Sequence, residues 1–297
     1  MSLHSACFLL GESNNDICLS LSFLIIHVIC CSILGIHIAV VEGERVGVDG
    51  KAEEWGTQSG PIPTMAIVSA RAGMTDMLVS VVDAALVDID RAESVLNNAI
   101  EGQIDILKQL APPSITTEIE DALRNDARDI LSVVRSLRMI RSVPPSVMEV
   151  VTGFGEIWSA RTLYAYLKSI GTNTAWLDAR DVLVVKGGAS TGLGEKGSTS
   201  TGGVVPLWAD TARRMEGWWE TVGRAEGVNC SGGGAAGEDD DALAVITDNK
   251  PPIVIVTGFV ATTSDGVPTT LKRSGSDYSA TIFAKLVASS RVTMWKK

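Results

Sequence analysis

The chain has 297 residues, 45% of them apolar and 20% charged, and carries a net charge of −10. Its apolar content excludes a disordered chain, and its acidic balance excludes broad nucleic-acid binding, which needs clustered Lys and Arg to neutralise phosphate. Five Cys are too few and too uneven for a disulfide framework.

Their distribution divides the chain. All three His (His4, His27, His37) and four Cys (Cys7, Cys18, Cys30, Cys31) precede residue 38. Beyond that point there is only Cys230 and no His, so histidine catalysis and ordinary zinc sites are excluded from the main body and no metal site is expected there. Ile17 to Val41 contains no Asp, Glu, Lys or Arg, and 25 such residues are long enough to span a bilayer as a helix. Ser20, Ser22, His27 and Ser32 interrupt the stretch, no positive cluster flanks it, and Glu12 and Asp16 stand where a secretory signal needs basic residues. Three readings stay open: a foreign extension, a membrane or targeting segment, or buried core. Glu42 to Pro63 reads as a polar, Gly-rich linker, which sets residues 1–63 apart from a domain at 64–297.

The body alternates strands and helices. Met65 to Ala70 predicts a buried strand, Arg71-Ala72-Gly73 a turn, and Thr75 to Val87 a helix. Ile100, Ile104 and Leu107 mark one face of the next helix, which Pro112-Pro113 ends. Thr117-Glu118-Ile119-Glu120 reads as a capping box opening another, with the stripe Ile119, Leu123, Ala127, Ile130, Val134 and Leu137. A second capping box, Ser146 to Glu149, follows Pro144-Pro145, and Phe154 to Ile170 predicts a helix entered from a Gly153 turn. Thr174 to Leu177 and Val182 to Val185 are strand-like runs around Asp178-Ala179-Arg180-Asp181. Two Gly-rich insertions, near 186–205 and 226–241, flank a helix over Leu207 to Arg224 with Met215, Trp218 and Trp219 on its inner side. Ile253 to Val256 is the strongest strand; a loop from Ala261 to Ser276 leads to a helix over Asp277 to Ser289 and a strand from Arg291 to Trp295. This order predicts an α/β fold with a mostly parallel sheet, whose ligands sit at the carboxyl ends of strands.

Three such strand-to-helix segments carry candidate chemistry. Thr269-Thr270-Leu271-Lys272-Arg273-Ser274-Gly275-Ser276-Asp277 packs two cations, hydroxyls and a Gly before a helix, where free N–H groups favour anions; Arg273 suits a carboxylate through its planar fork. Gly153-Phe154-Gly155-Glu156 places one carboxylate at a turn, and Ser69 and Thr75 flank another. Read singly, Glu156, Ser69, Thr75 and Asp277 are equally at home as caps.

In order and wording, however, these blocks resemble the aspartate kinases of the amino acid kinase family. The matching runs are Val68-Ser69-Ala70-Arg71-Ala72-Gly73-Met74-Thr75-Asp76-Met77, Gly153 to Ala160, Trp176 to Leu183, Thr257 to Ala261, and Pro268 to Ala280. The wording of the second run, with Arg213 to Trp219 after it, is most similar to the plant and algal bifunctional aspartokinase/homoserine dehydrogenases. The resemblance implies a three-layer, carbamate kinase-like fold and ATP-dependent phosphorylation of the side-chain carboxylate of L-aspartate to 4-phospho-L-aspartate. That is the first step of Lys, Thr, Met and Ile synthesis, with ATP and Mg2+ as co-substrate, a homo-oligomer in the full-length protein, and a plastid location. It implies that Arg273 binds a substrate carboxylate, Glu156 the ammonium, Ser69 and Thr75 the substrate with Ser276 nearby, and that Asp277 orients the catalytic lysine. The family's opening Lys-Phe-Gly-Gly-Thr strand has no counterpart, and Lys296-Lys297 stand where its nucleotide lobe continues. The expectation is therefore a truncated sheet lacking its first strand, unidentified nucleotide-binding residues and little kinase activity. The alternative is a non-catalytic aspartate-binding or subunit-pairing protein.

Overall fold

The computed structural model describes residues 37–42, 64–187, 204–225, 252–272, 274–289 and 291–295. The apolar stretch before His37, the bulk of both Gly-rich insertions and Arg273 lie outside the described residues. In chain order the elements are strand β1 (Ile38–Glu42), strand β2 (Met65–Val68), and helices α1 (Met74–Ala85), α2 (Ile89–Leu110), α3 (Pro113–Ile140) and α4 (Pro145–Ser169). Next come β3 (Thr174–Leu177), the single turn α5 (Ala179–Val182), β4 (Val184–Lys186), β5 (Val205–Pro206) and α6 (Trp208–Ala225). The last are β6 (Ile253–Thr257), β7 (Val260–Thr263), β8 (Pro268–Thr270), α7 (Gly275–Leu286) and β9 (Arg291–Trp295).

The main sheet runs β3-β6-β2-β1-β9. Its β3-β6-β2 half is parallel, whereas β1 is antiparallel to both β2 and β9. A smaller sheet, β5-β4-β7-β8, mixes both senses. Alternation along the main strands builds three layers. Ile38, Val40, Ala66, Val68 and Ile255 face Ala160, Leu163 and Leu167 of α4. Ala39, Val41, Met65, Ile67, Val254 and Val256 face Ile282, Phe283 and Leu286 of α7, together with Met215 of α6. Helices α1 to α4 carry their own core, in which Leu123, Ile130, Val134 and Leu137 of the predicted stripe are buried.

The expected sheet with no strand before Met65 is corrected by β1. Ile38 to Val41, the last residues of the uncharged stretch, are 0–6% exposed and pair with Val68 to Met65 on one side and Trp295 to Val292 on the other. A strand buried on both faces reads as a continuous apolar run, so the length of the stretch masked the strand at its end. Among the described residues no helix is long and apolar enough to cross a membrane.

Both capping boxes are also corrected. The helices begin earlier, at Pro113 and Pro145, without side-chain caps. A proline in the first helical turn loses nothing by lacking an N–H and presets φ, so each Pro-Pro pair starts a helix instead of spacing one. In consequence the Gly153–Glu156 block lies inside α4, not at a turn. The Val182–Val185 run splits into the end of α5 and β4, and the Ala261–Ser276 loop contains most of β7 and all of β8.

Val40 tests the place of β1. Val40→Asp puts an unpaired carboxylate between the sheet and α4, and we expect a loss of about 3 kcal/mol or more in denaturant unfolding; an unchanged midpoint would show that β1 is no part of the core.

Candidate active site

Parallel pairing brings the ends of β2 and β6 side by side, with Val68 opposite Thr257. Beyond them the two chains stay in contact, because the Gly258 N–H donates to the Val68 carbonyl at 2.8 Å. A Cβ on Gly258 would stand 2.8 Å from both that carbonyl and Ser276 Oγ. Only glycine lets the first turn of α7 close onto the end of β2. The matched segments therefore converge at one end of the parallel half-sheet.

Ser69 follows β2. Its Oγ donates to the His37 carbonyl and accepts the His37 N–H, each at 3.0 Å, so it fastens the start of β1 to the end of β2. Ala70 is next. Gly155 of α4 packs against it, where a Cβ would approach Ala70 Cβ to 3.0 Å and Met74 Cγ to 3.2 Å. Ser159, one turn further along α4, accepts the Arg71 N–H at 2.9 Å. The β2–α1 turn is thus stitched along α4, and Gly155, a residue that costs about 1 kcal/mol inside a helix, is explained by the contact it allows.

Glu156 sits in this seam and is 6% exposed. Its own backbone N–H and that of Ala70 favour the charged form, but burial dominates and pushes the carboxyl up to about 8. Its Oε2 has no hydrogen-bond partner. A buried carboxylate in this state is ready to receive a cationic donor.

Ser276 and Asp277 occupy the first turn of α7. With His37, Met294 and Trp295 they line a shallow surface cleft between α7, β1 and β9. Ser279, a turn deeper, accepts the Phe259 N–H at 2.9 Å and donates to the Gly275 carbonyl at 3.0 Å, which locks the β6–β7 turn to α7. Thr75 is exposed in the first turn of α1, and among the described residues no hydrogen bond joins its side chain to the other candidates. Arg273 lies outside the described residues. The structure thus brings Ser69, Glu156, Ser276 and Asp277 to one end of the sheet.

Sequence reading missed two supports. Thr257 Oγ1 accepts the Ala179 N–H at 2.7 Å and so anchors α5 to the end of β6. Glu149, read as a cap residue, is instead buried in α4, where it accepts Thr269 Oγ1 at 2.6 Å and pairs with Lys272. The spacing Glu149, Gly153, Glu156 carries the signal, but only once α4 is read as continuous. Among the described residues no three His, Cys, Asp or Glu side chains gather in a metal-binding group.

A glycine-lined seam thus gathers a buried carboxyl and the first turn of a helix at the ends of the parallel strands. The amino acid kinase family model matches residues 34–297, and the chain belongs to that family. It is 29% identical over 231 residues to the chloroplastic bifunctional aspartokinase/homoserine dehydrogenase 1 of Arabidopsis thaliana, covering 78% of this chain and 21% of that protein. The Zea mays protein of the same name is 27% identical with the same coverage. The chain therefore spans about a fifth of the length of these relatives. Among solved structures it is similar to E. coli aspartokinase III in complex with lysine and aspartate, with a TM-score of 0.54 at 21% identity over 76% of this chain and 41% of that one. The complex of the same enzyme with aspartate and ADP gives a TM-score of 0.52 at 22% identity and equal coverage.

Burial of Glu156 has a measurable consequence for stability. Its native pKa, about 8, lies above the ordinary 4.5, so between those values the folded chain holds a proton that the unfolded chain has released. Stability then falls as pH rises from 4.5 to 8, and the cost is complete above 8. Glu156→Gln removes that slope. We expect it to match the wild type at pH 4 and to be more stable by on the order of 4 kcal/mol at pH 9, as read by urea unfolding across pH.

Proposed function

We propose that this chain carries the aspartate-binding part of an aspartate kinase, in which ATP, arriving with Mg2+, phosphorylates the side-chain carboxylate of L-aspartate to 4-phospho-L-aspartate. The observation that carries this reading is Glu156, a buried carboxyl with one oxygen unpartnered at the carboxyl end of a parallel strand. L-Aspartate brings one ammonium and two carboxylates, and each needs a partner on leaving water. Glu156 takes the ammonium; Arg273 is the cation for a carboxylate; the hydroxyls of Ser69, Thr75 and Ser276 complete the polar lining. Asp277, in the first turn of α7, orients a lysine in the reacting complex. Phosphoryl transfer rests on alignment and charge stabilisation more than on covalent help, which suits a site made of fixed dipoles and short side chains. The plant relatives are named chloroplastic, and a plastid location belongs to the same proposal.

A second reading, aspartate binding without turnover, draws on one sequence fact: no Lys-Phe-Gly-Gly-Thr occurs in the 297 residues. An ADP-release assay with ATP and aspartate separates the two.

Titration calorimetry with L-aspartate tests the common part. Glu156 holds its proton at pH 7, with a pKa of about 8, and must release it to pair with an ammonium. Binding should therefore expel a proton, seen as a buffer-dependent enthalpy, and tighten by up to about tenfold for each pH unit that pH rises toward 8. Glu156→Gln should abolish the proton release and weaken binding by about 10–100-fold. A wild-type chain that ignores aspartate, or a Gln variant that binds it equally well, would overturn the reading.

A further inference from the structure

Glu149 belongs to none of the matched blocks, yet it is 8% exposed on the stripe of α4 that carries Gly153 and Glu156. Its two oxygens hold two different segments. Oε2 accepts the hydroxyl of Thr269, in β8, at 2.6 Å. Oε1 pairs with Nζ of Lys272, two residues past the end of β8. One buried carboxylate thus fixes both the strand and the turn that leads into α7.

That turn resists its own conformation. Lys272 and Ser274 have φ values of 66° and 56°, a left-handed region that side chains other than Gly disfavour. Ser274 also makes no side-chain cap for α7. Among the described residues the turn is fastened by the Leu271 N–H, which donates to the Phe259 carbonyl at 2.7 Å, and by the Glu149–Lys272 pair. Phe259, in turn, is held to α7 by Ser279. A charge taken out of water is weak support for stability in general, but here it links α4, which bears Glu156, to the turn that aims the first residues of α7.

We propose that Glu149 is a positioning residue: it holds Lys272 in its left-handed form at the end of β8 and so sets where Ser276 and Asp277 stand relative to Glu156. The proposal rests on the aspartate reading above for its consequence, though not for its geometry.

The test uses the full chain and the variants Glu149→Gln, Lys272→Met, Lys272→Arg and Glu149→Gln/Lys272→Met. Hydrogen exchange without ligand reads the turn directly. Glu149→Gln and Lys272→Met should each speed exchange across residues 271–276 by about tenfold or more, with α4 unchanged and Lys272→Arg protected like the wild type. Aspartate affinity should fall about 10–100-fold in each of these two single variants, fall no further in the double variant, and return to within about threefold of the wild type in Lys272→Arg. Unchanged exchange in Glu149→Gln, or additive losses of affinity, would overturn the proposal. Should Glu149→Gln melt much earlier than the wild type, Lys272→Met, whose side chain is 45% exposed, decides alone. A wild-type chain that does not bind aspartate would remove the functional reading, while the exchange result would still decide the role of Glu149.

Discussion

Glu156 meets the end of β2 through the Ala70 N–H, with its other oxygen unpartnered and almost no solvent access. Much around it follows from that constraint. Gly155 has no side chain because Ala70 and Met74 must come close enough to exclude water. Ser159 takes the next backbone N–H so that the turn does not peel away. Gly258 lets α7 close against the same strand end from β6. A carboxyl left in this state costs stability, and such a cost is characteristic of a site prepared for a ligand more than of one serving the core.

The two buried carboxylates of α4 show the contrast. Glu149 and Glu156 lie two turns apart on one helix face and are similarly hidden, at 8% and 6% exposed. Glu149 accepts the Thr269 hydroxyl on one oxygen, and its other oxygen, though without a hydrogen bond, is ion-paired with the Lys272 ammonium. Glu156 has only backbone N–H groups for support. One helix therefore carries a carboxyl tied to a neighbouring strand and turn and another held only by backbone N–H groups, and the difference comes from what β8 and β2 present to them.

Much of this was legible in the sequence. The apolar stripes of α2 and α3, the strands β2 and β6 and the helix after Gly275 follow from periodicity and from turn residues. The errors share a physical cause. Proline was read as a helix breaker in Pro112-Pro113 and Pro144-Pro145, where each pair in fact opens a helix, and that misplacement cut α4 in two and hid Glu149. Strand β1 was hidden because a strand covered on both faces has no alternation to detect. The candidate site residues Glu156, Ser276 and Asp277 stand out only through the wording of their blocks, since taken singly each is indistinguishable from a cap.

The antiparallel placement of β1 extends this reasoning to the cleft. Because β1 runs against β2, its first residue, not its last, reaches the active end of the sheet, and His37 arrives beside Ser69, Ser276 and Asp277. In the parallel half-sheet that end is served by strand carboxyl termini, which deliver loops running into helices. The two kinds of strand end meet at Ser69, whose hydroxyl satisfies both backbone groups of His37. Ser69 is therefore already engaged in closing the sheet. Its hydroxyl keeps one acceptor site at most for a ligand once it has donated to the His37 carbonyl, so a substrate contact there must come from a ligand donor, such as an ammonium, and not from a carboxylate.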